Sequence, residues 1–107
     1  MSFLKTLVEK NKERQLEWDS SSELDVCFKA LEFAGEAGEL CNMVKKIRRE
    51  ELGLAGSRCT REQLEDEFAD VLITLSLLAD NLNVNLEKVT ITKFNKTSDK
   101  MGFNTRI

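Results

Sequence analysis

The chain has no proline and no histidine, only five glycines and three cysteines, and no apolar run long enough to cross a membrane. Each gap removes a class of structure or chemistry. With no proline, few glycines and apolar residues recurring at helical spacing, the sequence predicts an all-α fold. Without histidine, triads that need an imidazole are excluded, as are di-iron carboxylate bundles, which take a Glu-x-x-His motif from each of two helices. Cys27, Cys41 and Cys59 are odd in number and show no C-x-x-C pairing, so neither a disulfide framework nor a zinc ribbon is indicated. They read as small buried hydrophobes of a reducing compartment. The N-terminal MSFLKTLVEKNKERQ alternates charge too quickly for a secretory signal. Together with the lack of a span of about 18 apolar residues, this predicts a cytoplasmic protein with no membrane partner. A formal net charge of -3 argues against a nucleic-acid polymer as ligand, because such binders carry a basic face.

What is present describes one domain over residues 1–107. At 41% hydrophobic and 33% charged residues, the chain can fold around one modest core, and an added interface is a common supplement at this size. Spacing predicts four helices. The first runs from Phe3 to about Glu17, with Phe3, Leu4, Leu7 and Val8 turned inward. The second runs from about Ser22 to Leu52 and stops at Gly53, before a loop through Cys59. Thr60 and Gln63 form a capping box that opens the third, which carries Leu64, Phe68, Val71, Leu72, Leu75 and Leu78 to about Leu82. Asn85 caps a fourth helix reaching Lys96 or Ser98, and an irregular tail follows. Lys45, Lys46, Arg48 and Arg49 complement the negative C-terminal end of the second helix. The segment VLITLSLLA, residues 71–79, is apolar nearly all round, with Ile73 and Leu77 opposite the stripe of Leu64, Phe68 and Leu75. A helix of that kind needs cover on every side, which predicts a homo-oligomer built around it.

Four acids sit in the most apolar stretches: Glu36 and Glu39 within LEFAGEAGELCNMV, and Glu67 and Asp70 within EDEFADVLITLSLLA. Burying an unpaired carboxylate costs several kcal/mol by order of magnitude, so acids bordering a core call for a cation or a partner. Helical projection puts Glu36 within the arc of Phe33, Leu40, Met43, Val44 and Ile47, Glu39 at its edge, and Asp70 with Thr74 on the polar flank of the third helix. Residues three apart share a helical face, where like charges repel and a divalent cation reverses the sign. Acid pairs also arise by chance in so charged a chain, as Glu62 with Glu65 illustrates. Two pairs at core borders of adjacent helices weigh against chance. All-oxygen ligands favour Mg²⁺, or Mn²⁺, over zinc or copper. Gly35, Ala37 and Gly38 suit a close approach of another helix or a substrate.

The run E36-A-G-E39-L, a spacer of 27 residues (40–66) and E67-F-A-D70-V-L resemble the E-x-x-E, spacer, E-x-x-D signature of the MazG-like, all-α nucleoside triphosphate pyrophosphohydrolases. The resemblance covers about Trp18 to Lys100. It implies a four-helix bundle assembled as a homodimer or homotetramer, which hydrolyses (deoxy)nucleoside triphosphates to monophosphate and pyrophosphate and serves as a house-cleaning enzyme. It also implies that Glu36, Glu39, Glu67 and Asp70 hold Mg²⁺, and that one of the glutamates, Glu39 ahead of Glu36, orients or deprotonates the attacking water. Lys93 matches the family lysine that follows the last acidic motif and is the phosphate-binding candidate, with Lys96 and Lys100 beside it. The chain departs from the family where Thr97 stands at an asparagine position, Met101 stands near a tyrosine, and no proline follows; Asn95 is the candidate substitute. In similar proteins an aromatic residue near Trp18 stacks on the nucleobase, while the structural alternative for Trp18 is closure of the core. A non-catalytic helical nucleotide-binding or regulatory module is the competing functional reading.

Overall fold

The computed structural model describes residues 2–107 and contains four helices, with no strand among those residues. Helix α1 spans Phe3–Trp18, α2 Val26–Glu51, α3 Arg61–Asn81 and α4 Leu86–Met101. The predicted all-α class and helix count hold, and the ends follow cap chemistry. Thr60 and Gln63 form the predicted capping box, with Gln63 N donating to Thr60 Oγ1 at 3.1 Å and Thr60 N donating to Gln63 Oε1 at 2.9 Å. Asn85 caps α4 as predicted, its side chain accepting from Lys88 N at 3.0 Å.

Two boundaries differ from expectation for identifiable reasons. Helix α2 begins at Val26 instead of Ser22, because the Asp19 carboxylate accepts from Glu23 N and Leu24 N at 3.1 and 3.0 Å. That turn also holds Ser22 at a φ of 55°. Asp25 then caps the helix by accepting from Phe28 N. Helix α4 runs on to Met101, where Gly102 adopts a φ of 72° and Phe103 N donates back to Ser98 O at 2.8 Å. This is a glycine C-cap of the Schellman type.

Helices α2 and α3 form the dominant, antiparallel pair. At one end the Lys29 ammonium donates to Asn81 Oδ1 at 3.0 Å, and at the other Cys59 Sγ donates to Met43 O at 3.6 Å. Helix α1 packs on α3 through Asn11, whose amide donates to Ser76 Oγ at 2.8 Å and to Ile73 O at 3.3 Å. Helix α4 touches only α1 and α3. The arrangement is open. Its radius of gyration is 17.3 Å, against about 13 Å for a closed domain of this length.

Burial corrects the expected faces. The buried apolar side chains are Met43, Leu64, Leu77 and Ala79, joined by the polar Asn11, Lys29, Thr74, Ser76 and Ser98. On α3 the inward face therefore runs through Thr74 and Leu77, while Phe68 is 58% exposed. Thr74 can be buried because its hydroxyl donates to the backbone carbonyl of Asp70, at 2.8 Å; Ser76 does the same to Ile73, at 2.9 Å. Phe3, expected inward, is 70% exposed, and Leu31 is 73% exposed.

Candidate metal and nucleotide site

Antiparallel packing of α2 on α3 sets Glu36 against Glu67 and Asp70. One carboxylate oxygen from each lies within 4.8 Å of the other two, and all three residues are half-buried. Glu39, on the next turn of α2, is exposed and stands outside the group. Three of the four expected ligands thus converge.

Electrostatics mark the triad as unbalanced without a cation. Desolvation, then the charges of Asp70 and Glu67, a carboxyl contact with Glu67 and the charge of Glu32, raise the pKa of Glu36 above its ordinary value. Glu67 Oε2 is buried with no hydrogen-bond donor facing it. Two carboxylates can bond directly only by sharing a proton, so the Glu36–Glu67 contact is either protonated or repulsive. Oxygen donors this close, one of them orphaned, fit a hard divalent cation.

Beside the triad is a cavity of about 290 Å³. Glu32 and Glu36 of α2 and Asp70, Ile73, Thr74 and Leu77 of α3 line one side; Asn11, Arg14, Gln15 and Trp18 of α1 line the other. Trp18 is 58% exposed, so it closes no core; it forms part of the cavity wall. The sequence pattern passes over Asn11, Arg14 and Gln15 of α1 and Glu32 of α2, all of which line the cavity. Glu32 had a signal, one helical turn before Glu36, whereas α1 carries no motif.

The expected cationic partners lie elsewhere in the chain. Helix α4 has no contact with α2. Lys93 and Lys96 are exposed and line a separate groove of about 530 Å³ with Val84, Lys88 and Val89. The Asn95 carboxamide is engaged by the tail, accepting from Ile107 N at 2.9 Å and donating to Ile107 O at 3.1 Å. At the end of α2, Arg48 pairs with Glu51 at 3.4 Å and Arg49 donates to Ser57 O at 3.3 Å. The glycines flanking Glu36 have no atom within 4 Å of where a Cβ would stand. Among the described residues no helix takes up the close approach they permit.

A four-helix chain with a carboxylate triad on its central pair and a cavity beside it defines a class, and the comparison with known families agrees. Residues 29–102 match the MazG nucleotide pyrophosphohydrolase domain, and the chain belongs to that family. It is also similar to the Gene 37 protein of Mycobacterium phage L5, at 39% identity over 66 residues, 62% of this chain and 57% of that protein. The similarity thus spans little more than half of that relative's length. No helix among the described residues is long and apolar enough to cross a membrane.

Proposed function

We propose that the chain is a Mg²⁺-dependent nucleotide pyrophosphohydrolase, converting (deoxy)nucleoside triphosphates to monophosphate and pyrophosphate in house-cleaning of a cytoplasmic nucleotide pool. The observation that carries this reading is the convergence of Glu36, Glu67 and Asp70 beside a cavity that Glu36 and Asp70 line. A divalent ion held there, Mg²⁺ or Mn²⁺, would neutralise the triphosphate, acidify a bound water and align it with the leaving group. Glu36, Glu67 and Asp70 are its ligands, and Glu39 is the fourth on a change of rotamer. Glu39, which stands outside the triad, is the first candidate to accept the proton of the attacking water, and Glu36 the second. Attack at the α-phosphorus breaks the α–β bridge, and pyrophosphate departs. Trp18 stacks on the base, for which an aromatic face contributes about 1 to 3 kcal/mol.

Acids alone repel a triphosphate, and Arg14 is the single cationic side chain in the cavity wall, so the site needs further cations. Lys93 and Lys96, with Asn95 on release of the tail, supply them from α4 of a second copy in a homodimer or homotetramer. Exposed Phe68 and Leu31 and the open shape support such an assembly. The test is incubation with a panel of standard and modified nucleotides plus Mg²⁺, scored for pyrophosphate. Release above background with at least one nucleotide, abolished by chelation, is expected; none with any nucleotide sinks the enzyme reading. A non-catalytic nucleotide-binding module is the second reading, favoured by one observation, that α4 makes no contact with α2, the helix of Glu36 and Glu39.

A further inference from the structure

We infer that Gln15 reads the Watson–Crick edge of the substrate's base, an inference that rests on the nucleotide reading of the cavity between α1 and the acid triad. Gln15 lines that cavity, yet its Nε2 is fully covered and has no hydrogen-bond partner. Two of its polar neighbours in the same wall are committed: Asn11 donates to Ser76 and to Ile73 O, and Thr74 donates to Asp70 O and Val71 O. A buried donor without an acceptor is unfavourable, and folds retain few without a use for them. The uncommitted amide of this wall belongs to Gln15.

Placement supplies the ligand's orientation. Gln15 and Trp18 are three residues apart, share one face of α1 and line the same cavity, with Glu36 and Asp70 on its other side. A nucleotide whose phosphates are held at the acids extends its base toward α1. The glycosidic nitrogen leads back to the sugar, so the opposite edge of the ring, the Watson–Crick edge, meets Gln15 while Trp18 covers a face. A carboxamide presents a donor beside an acceptor, which complements the acceptor and donor that each base shows on that edge. The terminal torsion of glutamine is broad and soft, so Nε2 turns to the ligand at little cost.

The experiment compares wild type with Gln15→Met, which keeps the length of the side chain and removes the amide. The first readout is the melting temperature of the free protein. It should stay level or rise, since no hydrogen bond is lost; a fall of more than about 5 °C, on the order of 1 kcal/mol in a domain this size, assigns the amide to the scaffold and overturns the inference. The second is kcat/KM for the preferred nucleotide and for its Watson–Crick-methylated counterpart, N3-methyl for a pyrimidine or N1-methyl for a purine. Sites built to hydrogen-bond a substrate reject analogues that cannot pair, so wild type should favour the unmethylated form by about tenfold or more, with Gln15→Met narrowing that ratio to within about threefold through a rise in KM. An unchanged ratio in the variant overturns the role of Gln15 while leaving the enzyme reading intact. Wild type that releases no pyrophosphate from any nucleotide fails earlier, at the proposed function, and takes this inference with it.

Discussion

Replacing Glu36 by Gln should stabilise the metal-free protein and remove its response to Mg²⁺. The carboxylate oxygens of Glu36, Glu67 and Asp70 lie within 4.8 Å of one another. Two unit charges at that separation repel by about 0.9 kcal/mol under water-like screening, and Glu36 takes part in two of the three pairs. Physiological salt, with a Debye length of about 8 Å, roughly halves this, leaving about 1 kcal/mol relieved by the neutral isostere. For a domain of this size that corresponds to a rise of about 4 °C in melting temperature. The pH dependence has a definite sign. Folding raises the Glu36 pKa above its ordinary 4.5, so the folded chain takes up that proton at higher pH than the unfolded chain does. The charged form therefore penalises the fold above the folded pKa, and the penalty fades as pH falls toward 4.5. Wild type and Glu36→Gln melted without metal at steps from about pH 7 down to about pH 4 should converge as pH falls through 4.5. With saturating Mg²⁺ the wild type should rise above the variant, because a ligand at 100 times its Kd adds about 2.7 kcal/mol. A variant that melts lower than wild type in chelator at pH 7, or that gains as much from Mg²⁺, would refute the reasoning.

Asp70→Asn should reduce pyrophosphate release by at least about a hundredfold while circular dichroism stays unchanged, since the site loses a ligand but Thr74 still bonds the backbone carbonyl of residue 70. Trp18→Ala should raise KM by about tenfold, from about 1 to 3 kcal/mol of lost stacking, with a melting temperature within about 2 °C because the ring is 58% exposed; a large drop in melting temperature with unaltered KM would return Trp18 to a structural role. If Lys93 serves the site of a second copy, inactive Lys93→Ala and inactive Asp70→Asn chains should regain activity on mixing, read as pyrophosphate release from the mixture, and no recovery after exchange of subunits would count against shared sites.

The parts of the fold that were legible in the sequence are those fixed by local chemistry. The Thr60–Gln63 box and the Asn85 cap use side chains on the backbone within three residues, so the letters alone reveal them. The start of α2 did not show, because Ser22 is as good a cap by type as Asp25 and the choice is made by Asp19 reaching forward to Glu23 and Leu24. The inner face of α3 departs from helical projection for a related reason. Projection treats hydroxyls as outward-facing, but Thr74 and Ser76 satisfy themselves on their own helix and go in, while Phe68 stays out. At the site, spacing brought Glu36, Glu67 and Asp70 forward because acids on paired helices are visible as pattern. Gln15 has no such periodic partner, and its importance comes only from a packing environment that sequence does not carry.

Among the described residues the buried apolar side chains are Met43, Leu64, Leu77 and Ala79, and so thin an interior makes dilution a variable in its own right. If most of the oily surface is covered only by another copy, holding shape and meeting a partner become a single equilibrium. Melting temperature should then climb with protein concentration. Activity per molecule should fall on serial dilution before any side chain of the triad is touched, so that the amount of protein made would itself set how much of it is competent.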